Sequence, residues 1–323
     1  MRVILVNKTI LVSAVALAVS GNAMAAEMYG NMRLGIESTN ELRVQSGKLV
    51  LGAKGSTDLD SGMTFSYQLE MEHDQADNQQ TGWKNDRSWV GIAGGFGKLI
   101  AGRHGDMAGW ACGGTDLLTI GSNETCSLGS NSEPDNAIQY RISTGAFDFG
   151  AAYTADADDA DLTSNNTLVG ARFSGESWSI GAQIAAMDDN EGSLGVGGEI
   201  GTDVFGSGTI APGDSATQIG GTLQLGNIGL GLVYADNGST GTTEVTGVGF
   251  GFYMPVGPGN IAIVYDVLDG DALPDGRLIG EDDTFYDIEY SQQLGGGAYW
   301  GATYNDSDAQ SDGKFSLWMG TNF

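Results

Sequence analysis

The stretch GMTFSYQLEME, residues 62–72, alternates without a break: Met63, Phe65, Tyr67, Leu69 and Met71 form one file, and Thr64, Ser66, Gln68, Glu70 and Glu72 the other. A period of two puts the files on opposite faces of a β-strand, one suited to an apolar medium and one to water. A length of about ten residues is that of a strand tilted across a bilayer. Shorter files of the same kind recur in Phe147, Phe149, Ala151, Tyr153; in Ile261, Ile263, Tyr265, Val267; and in Tyr286, Ile288, Tyr290. The last stretch, GKFSLWMGTNF (residues 313–323), repeats the pattern with Phe315, Leu317, Met319, Thr321 and Phe323 on its apolar file.

Connections between these strands alternate between tight and long. The tight ones are DLDSG, GGFG, STGA, SGES, GNI, PVGPGN and LGGG, beginning at Asp58, Gly94, Ser143, Ser174, Gly226, Pro255 and Leu294. All are rich in residues that permit turns. Counting every crossing gives about sixteen strands, with short turns at one end and long loops at the other. That arrangement predicts an all-β fold, a transmembrane antiparallel β-barrel of the bacterial outer-membrane type. The bilayer offers backbone groups no water, so such a sheet must close, and the final strand is expected to pair with EMYGNMRLGIE, residues 27–37. Phe323 would then lie at the interfacial aromatic girdle.

Residues 1–25, MRVILVNKTILVSAVALAVSGNAMA, carry Arg2 and Lys8, an apolar run from Ile10 to Val19 and the triplet Ala23-Met24-Ala25. They read as a secretory signal peptide, leaving residues 26–323 as a single domain. Beyond it no run approaches the roughly 18 apolar residues of a spanning helix. The formal net charge of −27 becomes −29 once Arg2 and Lys8 leave, which argues against nucleic acid as a partner. Acidic clusters such as TADADDAD (154–161) and NDSDAQSD (305–312) read as solvated loop tips.

AEMYGNMRLG, GKLVLGAKGSTDLDSGMTFSYQLE, DRSWVGIAGGFGKLIAGRHGD and DNAIQYRISTGAFDFGAAY, beginning at Ala26, Gly47, Asp86 and Asp135, and the final strand resemble, in order, the general diffusion porins of Gram-negative bacteria. FYDIEYSQQLGGGAYWGATYNDSD, from Phe285, looks most like the alpha-proteobacterial type. The resemblance implies a homotrimer of sixteen-stranded barrels in the outer membrane, in contact with its lipid and lipopolysaccharide. It implies that each barrel folds its third long loop inward to narrow a channel for small hydrophilic solutes. It also implies that the terminal aromatic, Phe323, is read by the outer-membrane assembly machinery.

That third loop spans about residues 104–135 and carries Asp106, Asp116 and Glu124, with no Lys or Arg between Arg103 and Arg141. By resemblance these loop acids face wall cations across the constriction: Arg87 and Arg141 fall on wall-arginine positions, Lys54 on a wall lysine, and Arg103 on the arginine that ends the strand before the loop. Alternation supports a lumen position for Lys54, against Leu51 and Ala53, and for Arg33, against Met32 and Leu34, since a cation facing lipid costs about 2–4 kcal/mol at midplane. The plainer account is that each cation neutralises a neighbouring lumen carboxylate. Two departures from the family pattern stand out: Val50 replaces a wall arginine, and the proline-glutamate-phenylalanine-glycine loop tip is absent.

Cys112 and Cys126, the two cysteines of the chain, both fall in this loop. Export to an oxidising compartment favours a disulfide over two free thiols, and His73 and His104 show no spacing that would join them in a metal site. No nucleophile elbow, zinc-protease motif or P-loop occurs, so no enzyme is expected; His104 with a nearby Ser and Asp is the residual alternative. No cofactor is expected beyond Ca²⁺ held loosely by the acidic loops. The leading reading is a passive porin with weak cation selectivity. A substrate-selective channel and an exported Gly-rich structural or adhesive protein are the alternatives, the latter lacking the internal repeat it would need.

Overall fold

A computed structural model of the chain describes residues 26–38, 41–45, 47–74, 83–105, 108–118, 125, 137–154, 166–187, 215–237, 245–270, 282–308 and 313–323. Residues 1–25, and with them the expected signal segment, lie outside these, as do Asp106, Glu124 and Cys126. The strands are β1 (Glu27–Ser38), β2 (Leu42–Gln45), β3 (Lys48–Asp58), β4 (Thr64–Asp74), β5 (Lys84–Gly94), β6 (Gly97–Arg103), β7 (Ala137–Thr144), β8 (Phe147–Thr154) and β9 (Asn166–Ser174). They continue as β10 (Trp178–Met187), β11 (Ser215–Leu225), β12 (Ile228–Asp236), β13 (Val245–Val256), β14 (Gly259–Gly270), β15 (Asp283–Gly295), β16 (Ala298–Ser307) and β17 (Lys314–Asn322). One helical turn, α1 (Ala108–Cys112), interrupts the series between β6 and β7.

β2 and β3 are two halves of one crossing. β3 pairs with the first half of β1, from Glu27↔Lys54 to Met32↔Leu49, and β2 with the second, from Gly35↔Gln45 to Ser38↔Leu42, so the register slips by one between them. Gly47 sits at the slip, where a Cβ would run into the carbonyl oxygen of Arg33. Sixteen crossings therefore form one antiparallel sheet, each bonded to its chain neighbours.

The sheet closes where the alternation of the last strand requires. β17 pairs with β1 from Asn31↔Asn322 to Ser38↔Phe315. The ladder is extended by Gly30 N–H to the Phe323 carbonyl at 2.8 Å and Phe323 N–H to the Gly30 carbonyl at 3.0 Å. Closure removes the edge whose unpaired groups would each cost several kcal/mol in hydrocarbon. Gly30 also makes room for the Phe323 ring, whose Cζ would lie 2.5 Å from a Cβ there.

Burial is the inverse of a soluble protein's. Leu232 is 58% exposed, Met319 63% and Ile138 54%, while Gln218, Thr303 and Ser316 are wholly buried. On β17, Phe315, Leu317 and Met319 point outward, and Ser316 and Trp318 point inward. The apolar face meets lipid and the polar face encloses a lumen. All seven tight connections lie at one end; Gly145, Gly226 and Gly257 open three of them at φ of 59°, 62° and 60°, a region that favours glycine.

Candidate pore constriction

The connection between β6 and β7 is the third long one, and its helical turn does not stay beside those strands. α1 rests on β9, β10, β11 and β12, reached through the barrel interior. Trp110 packs on an inward apolar patch of Ala152, Leu168, Ala185 and Ala216, one residue from each of β8 to β11. Farther along, Thr125 is fully buried and lies against Gly249 of β13, beside the carboxylate of Asp266. The inward course expected of this loop is thus present. Thr115 N–H and Asp116 N–H both bond the Cys112 carbonyl, at 2.8 and 2.9 Å, ending the helical turn in a compact bend.

The root of the loop is held by the wall. Arg141 Nη2 donates to the Gly105 carbonyl at 2.5 Å and to Gln139 Oε1 at 2.9 Å, and Gln139 Nε2 donates to the His104 carbonyl at 3.0 Å. Arg141 and Arg172 then flank the Trp110 ring, at 5.9 and 5.8 Å from its centroid. Lys98, which pairs with Arg141 across β6 and β7, lies 4.3 Å from the Trp89 ring, itself 5.0 Å from the His104 ring. Rings and cations thus alternate along the wall from β5 to β9. Such contacts contribute about 0.5–2 kcal/mol each and hold the guanidinium groups in place.

Carboxylates on neighbouring strands compensate most of these cations. Arg172 Nη2 lies 2.7 Å from Asp148 Oδ2, Lys54 Nζ 3.4 Å from Glu27, and Arg87 Nε 3.9 Å from Glu70 Oε1; Lys48 pairs with Glu72. Glu70 also accepts from the Tyr29 hydroxyl, to which Gln68 Nε2 donates at 2.7 Å. Tyr29, Lys48, Lys54, Glu70, Asp86 and Arg87 line a recess of about 460 Å³ in the inner wall. Half-exposed pairs of this kind add only about 0–1 kcal/mol to stability, so their consequence is the charge pattern they fix.

Two loop groups have displaced pKa values. Desolvation lowers His104 to about 4, assisted by the positive charges of Arg141, Lys98 and Arg87 and opposed by its bond to the Gly105 carbonyl. Asp116 is open to pore water, yet the enclosing walls desolvate it and push its carboxyl up. Between pH 8 and 5 His104 is therefore neutral and leaves selectivity unchanged. His104 gains a proton as the pH falls toward 4, and Asp116, its carboxyl pushed up by desolvation, gives up its charge at a higher pH than an ordinary aspartate. Both changes add positive charge, so reversal potentials measured across that titration should move toward anion preference. The same shift in a His104→Gln, Asp116→Asn double variant would refute the assignment.

Arg33, Lys54, Arg87 and Arg141 occupy inward positions. Arg103 differs: Gly102, at φ 117°, breaks the alternation just before it, and Arg103 Nε donates to the Asp86 carbonyl at 2.7 Å. Asp116 follows α1 and makes no ion pair with a wall cation among the described residues. Cys112 is buried and is not a free thiol. Sequence reading passed over Lys98, Trp110 and Arg172. Arg172 was legible by alternation against Phe173, and Lys98 against Leu99. A larger signal was also available: beyond Arg172 the chain has only Arg277 and Lys314 as basic residues. The inner wall of β14 and β15 instead carries the buried Asp266, Asp287 and Glu289.

A family model described as Gram-negative porin matches residues 12–312. The chain is 31% identical over 109 residues to the major outer membrane protein P.IB of Neisseria meningitidis serogroup A / serotype 4A, an alignment covering 28% of this chain and 33% of that protein. It is 32% identical over 117 residues to P.IA of Neisseria meningitidis serogroup C, covering 27% and 30%. These alignments span about a third of the curated relatives' length. Salmonella typhi OmpF in its complex with daunomycin superposes with a TM-score of 0.73 at 14% identity, over 92% of this chain and 97% of that one. A triple mutant of Rhodopseudomonas blastica porin gives 0.64 at 16% identity, over 92% and 100%. At these identities the solved structures speak to the fold alone, and they share the closed barrel. With that barrel, its inward third loop and a family match over nearly its whole length, the chain belongs to the Gram-negative porin family of outer-membrane proteins.

Proposed function

We propose that the protein is a water-filled channel for passive diffusion of small hydrophilic solutes and ions, weakly selective for cations and without enzymatic activity. The observation that carries this reading is the third loop crossing the lumen to rest on β9–β12 while cations line the wall from β3 to β9. On this reading the loop narrows the path and leaves it open to small solutes. Cations paired with adjacent carboxylates leave little net charge on the wall, and the loop acids opposite them add a transverse field, so the acidic mouth decides the sign. Its field reaches about one Debye length, ~8 Å at physiological salt. Asp106, Asp116 and Glu124 add negative charge on the loop side.

Single-channel conductance in a planar bilayer with a salt gradient tests the reading. An ohmic current with a cation-directed reversal potential that grows on dilution is the expected result. No conductance, or anion preference at low salt, would refute it.

The working form is a homotrimer in contact with outer-membrane lipid and lipopolysaccharide, delivered by a signal peptide and assembled through recognition of Phe323. Ca²⁺ associates loosely with the acidic loops. Cys112 and Cys126 form a disulfide enclosing residues 113–125, which the buried, non-free state of Cys112 supports. Closure of such a ring is worth roughly 3 kcal/mol in the chain-entropy model, spent on restraining the loop. Reduction should leave the β-spectrum unchanged and increase current noise. Labelling of both thiols in native, non-reduced protein would exclude the bridge.

A further inference from the structure

We infer that four glycines of the inner wall, Gly181, Gly220, Gly231 and Gly251, set the width of the aperture by fixing how deeply the third loop is seated. The inference rests on the channel reading and adds residues that do not themselves line the open path.

The four lie at inward positions of β10, β11, β12 and β13 and form a continuous bare track. Gly181 pairs directly with Gly220, and Gly231 with Gly251. Gly231 pairs with Thr222, two residues along β11 from Gly220, so the two halves of the track meet on a diagonal. A Cβ at any of the four would fall under 3.0 Å from a loop carbonyl oxygen: that of Trp110 at Gly181, of Ala111 at Gly220, and of Gly114 at Gly231 and Gly251. Gly114 is itself bare on its side, lying against the Cα of Gly231 and the carbonyl of Gly221. The loop backbone thus lies directly on the wall backbone at these glycines, with the Thr222 methyl packed beside Gly114.

None of the four has a positive φ, so backbone conformation does not call for glycine at these sites. Space does. The wall is a hydrogen-bonded sheet closed on itself and cannot give way at one residue. The group that must move is the loop, and it can move only into the lumen. Restoring an ordinary contact of about 3.5 Å requires a displacement of roughly 1.5 Å. Trp110, seated on its apolar patch beside the first of these glycines, fixes where along the track the loop lies.

The test compares Gly231→Ala and Gly181→Ala with Gly229→Ala. Gly229 is also inward on β12, but a Cβ there would meet only the flexible Gln224 side chain at 3.3 Å and Tyr253 Cβ at 3.7 Å. Single-channel conductance and liposome swelling with sugars of graded size are the readouts. Gly231→Ala and Gly181→Ala should conduct less than the unsubstituted protein by roughly a quarter to a half, with a lower size cutoff, because pore diameter governs passage. Gly229→Ala should match the unsubstituted protein. Equal conductance in all three variants, or a rise in either track variant, overturns the inference. So does failure of both track variants to assemble while Gly229→Ala assembles, since the glycines would then serve folding and not the aperture. Failure of the channel reading is distinguishable, because the unsubstituted protein would then not conduct.

Discussion

Leu232→Arg should destabilise the barrel in a lipid bilayer by about 2–4 kcal/mol, whereas the same substitution at Ser56 should cost no more than about 0.5 kcal/mol. Leu232 is central in β12, points outward and is 58% exposed, with outward Gly221 and Phe250 as its cross-strand neighbours. An arginine there must either enter hydrocarbon or thin the bilayer around it. Ser56 lies on the lumen face of β3, in line with Lys54, and an arginine there stays in water. In folded-to-unfolded ratio the first change is roughly thirty- to a thousand-fold. Denaturant titration of folding into vesicles measures it. Equal cost at the two positions would mean that the face assigned to lipid is not in lipid.

Removing the arginines beside Trp110 should move ion preference toward cations. Arg172→Gln is the cleaner change, because Arg172 bonds Asp148 and stacks on Trp110 but holds no part of the loop backbone among its described contacts. Its loss leaves the Asp148 carboxylate without that partner in the lumen. At about 7 Å in water one unit charge is worth about 0.6 kcal/mol, in opposite senses for a cation and an anion, so the cation-to-anion permeability ratio should rise about sevenfold at low salt. Arg141→Ala and Arg87→Ala should act in the same direction, and Arg141→Ala should also add noise, since Arg141 holds the Gly105 carbonyl at the loop root. Asp116→Asn should act in the opposite direction. Unchanged reversal potentials in all three arginine variants would place the constriction elsewhere.

The basic residues show how site and fold differ in legibility. Arg33, Lys54, Arg87 and Arg141 were assigned inward from alternation and resemblance, because the face a strand residue takes is settled by its immediate neighbours. Arg103, assigned from resemblance alone, follows a left-handed glycine, Gly102, whose conformation nothing in the surrounding residues announces. The pairing of wall cations with wall carboxylates, Arg87 with Glu70 and Arg172 with Asp148, was open to sequence reading only as the plainer of two accounts. It depended on register across strands, and the bulge between Glu70 and Met71 shifts that register locally.

What the sequence by itself determined was whatever local periodicity encodes: the strand count, the sidedness of the clearest strands, the seven tight turns, the third loop and the closing seam at Phe323. Each follows from residues within a few positions of one another and from the demand that no backbone edge face lipid. What only the tertiary structure decided was where that loop comes to rest. The partners of Trp110, Ala111 and Gly114 are Gly181, Gly220, Gly231 and Gly251, far along the chain and on strands whose glycines look, read locally, like weak points in a sheet. Their role exists only once the barrel has closed and brought that wall under the loop, because it is the space they leave empty, and not any group they carry, that the loop uses.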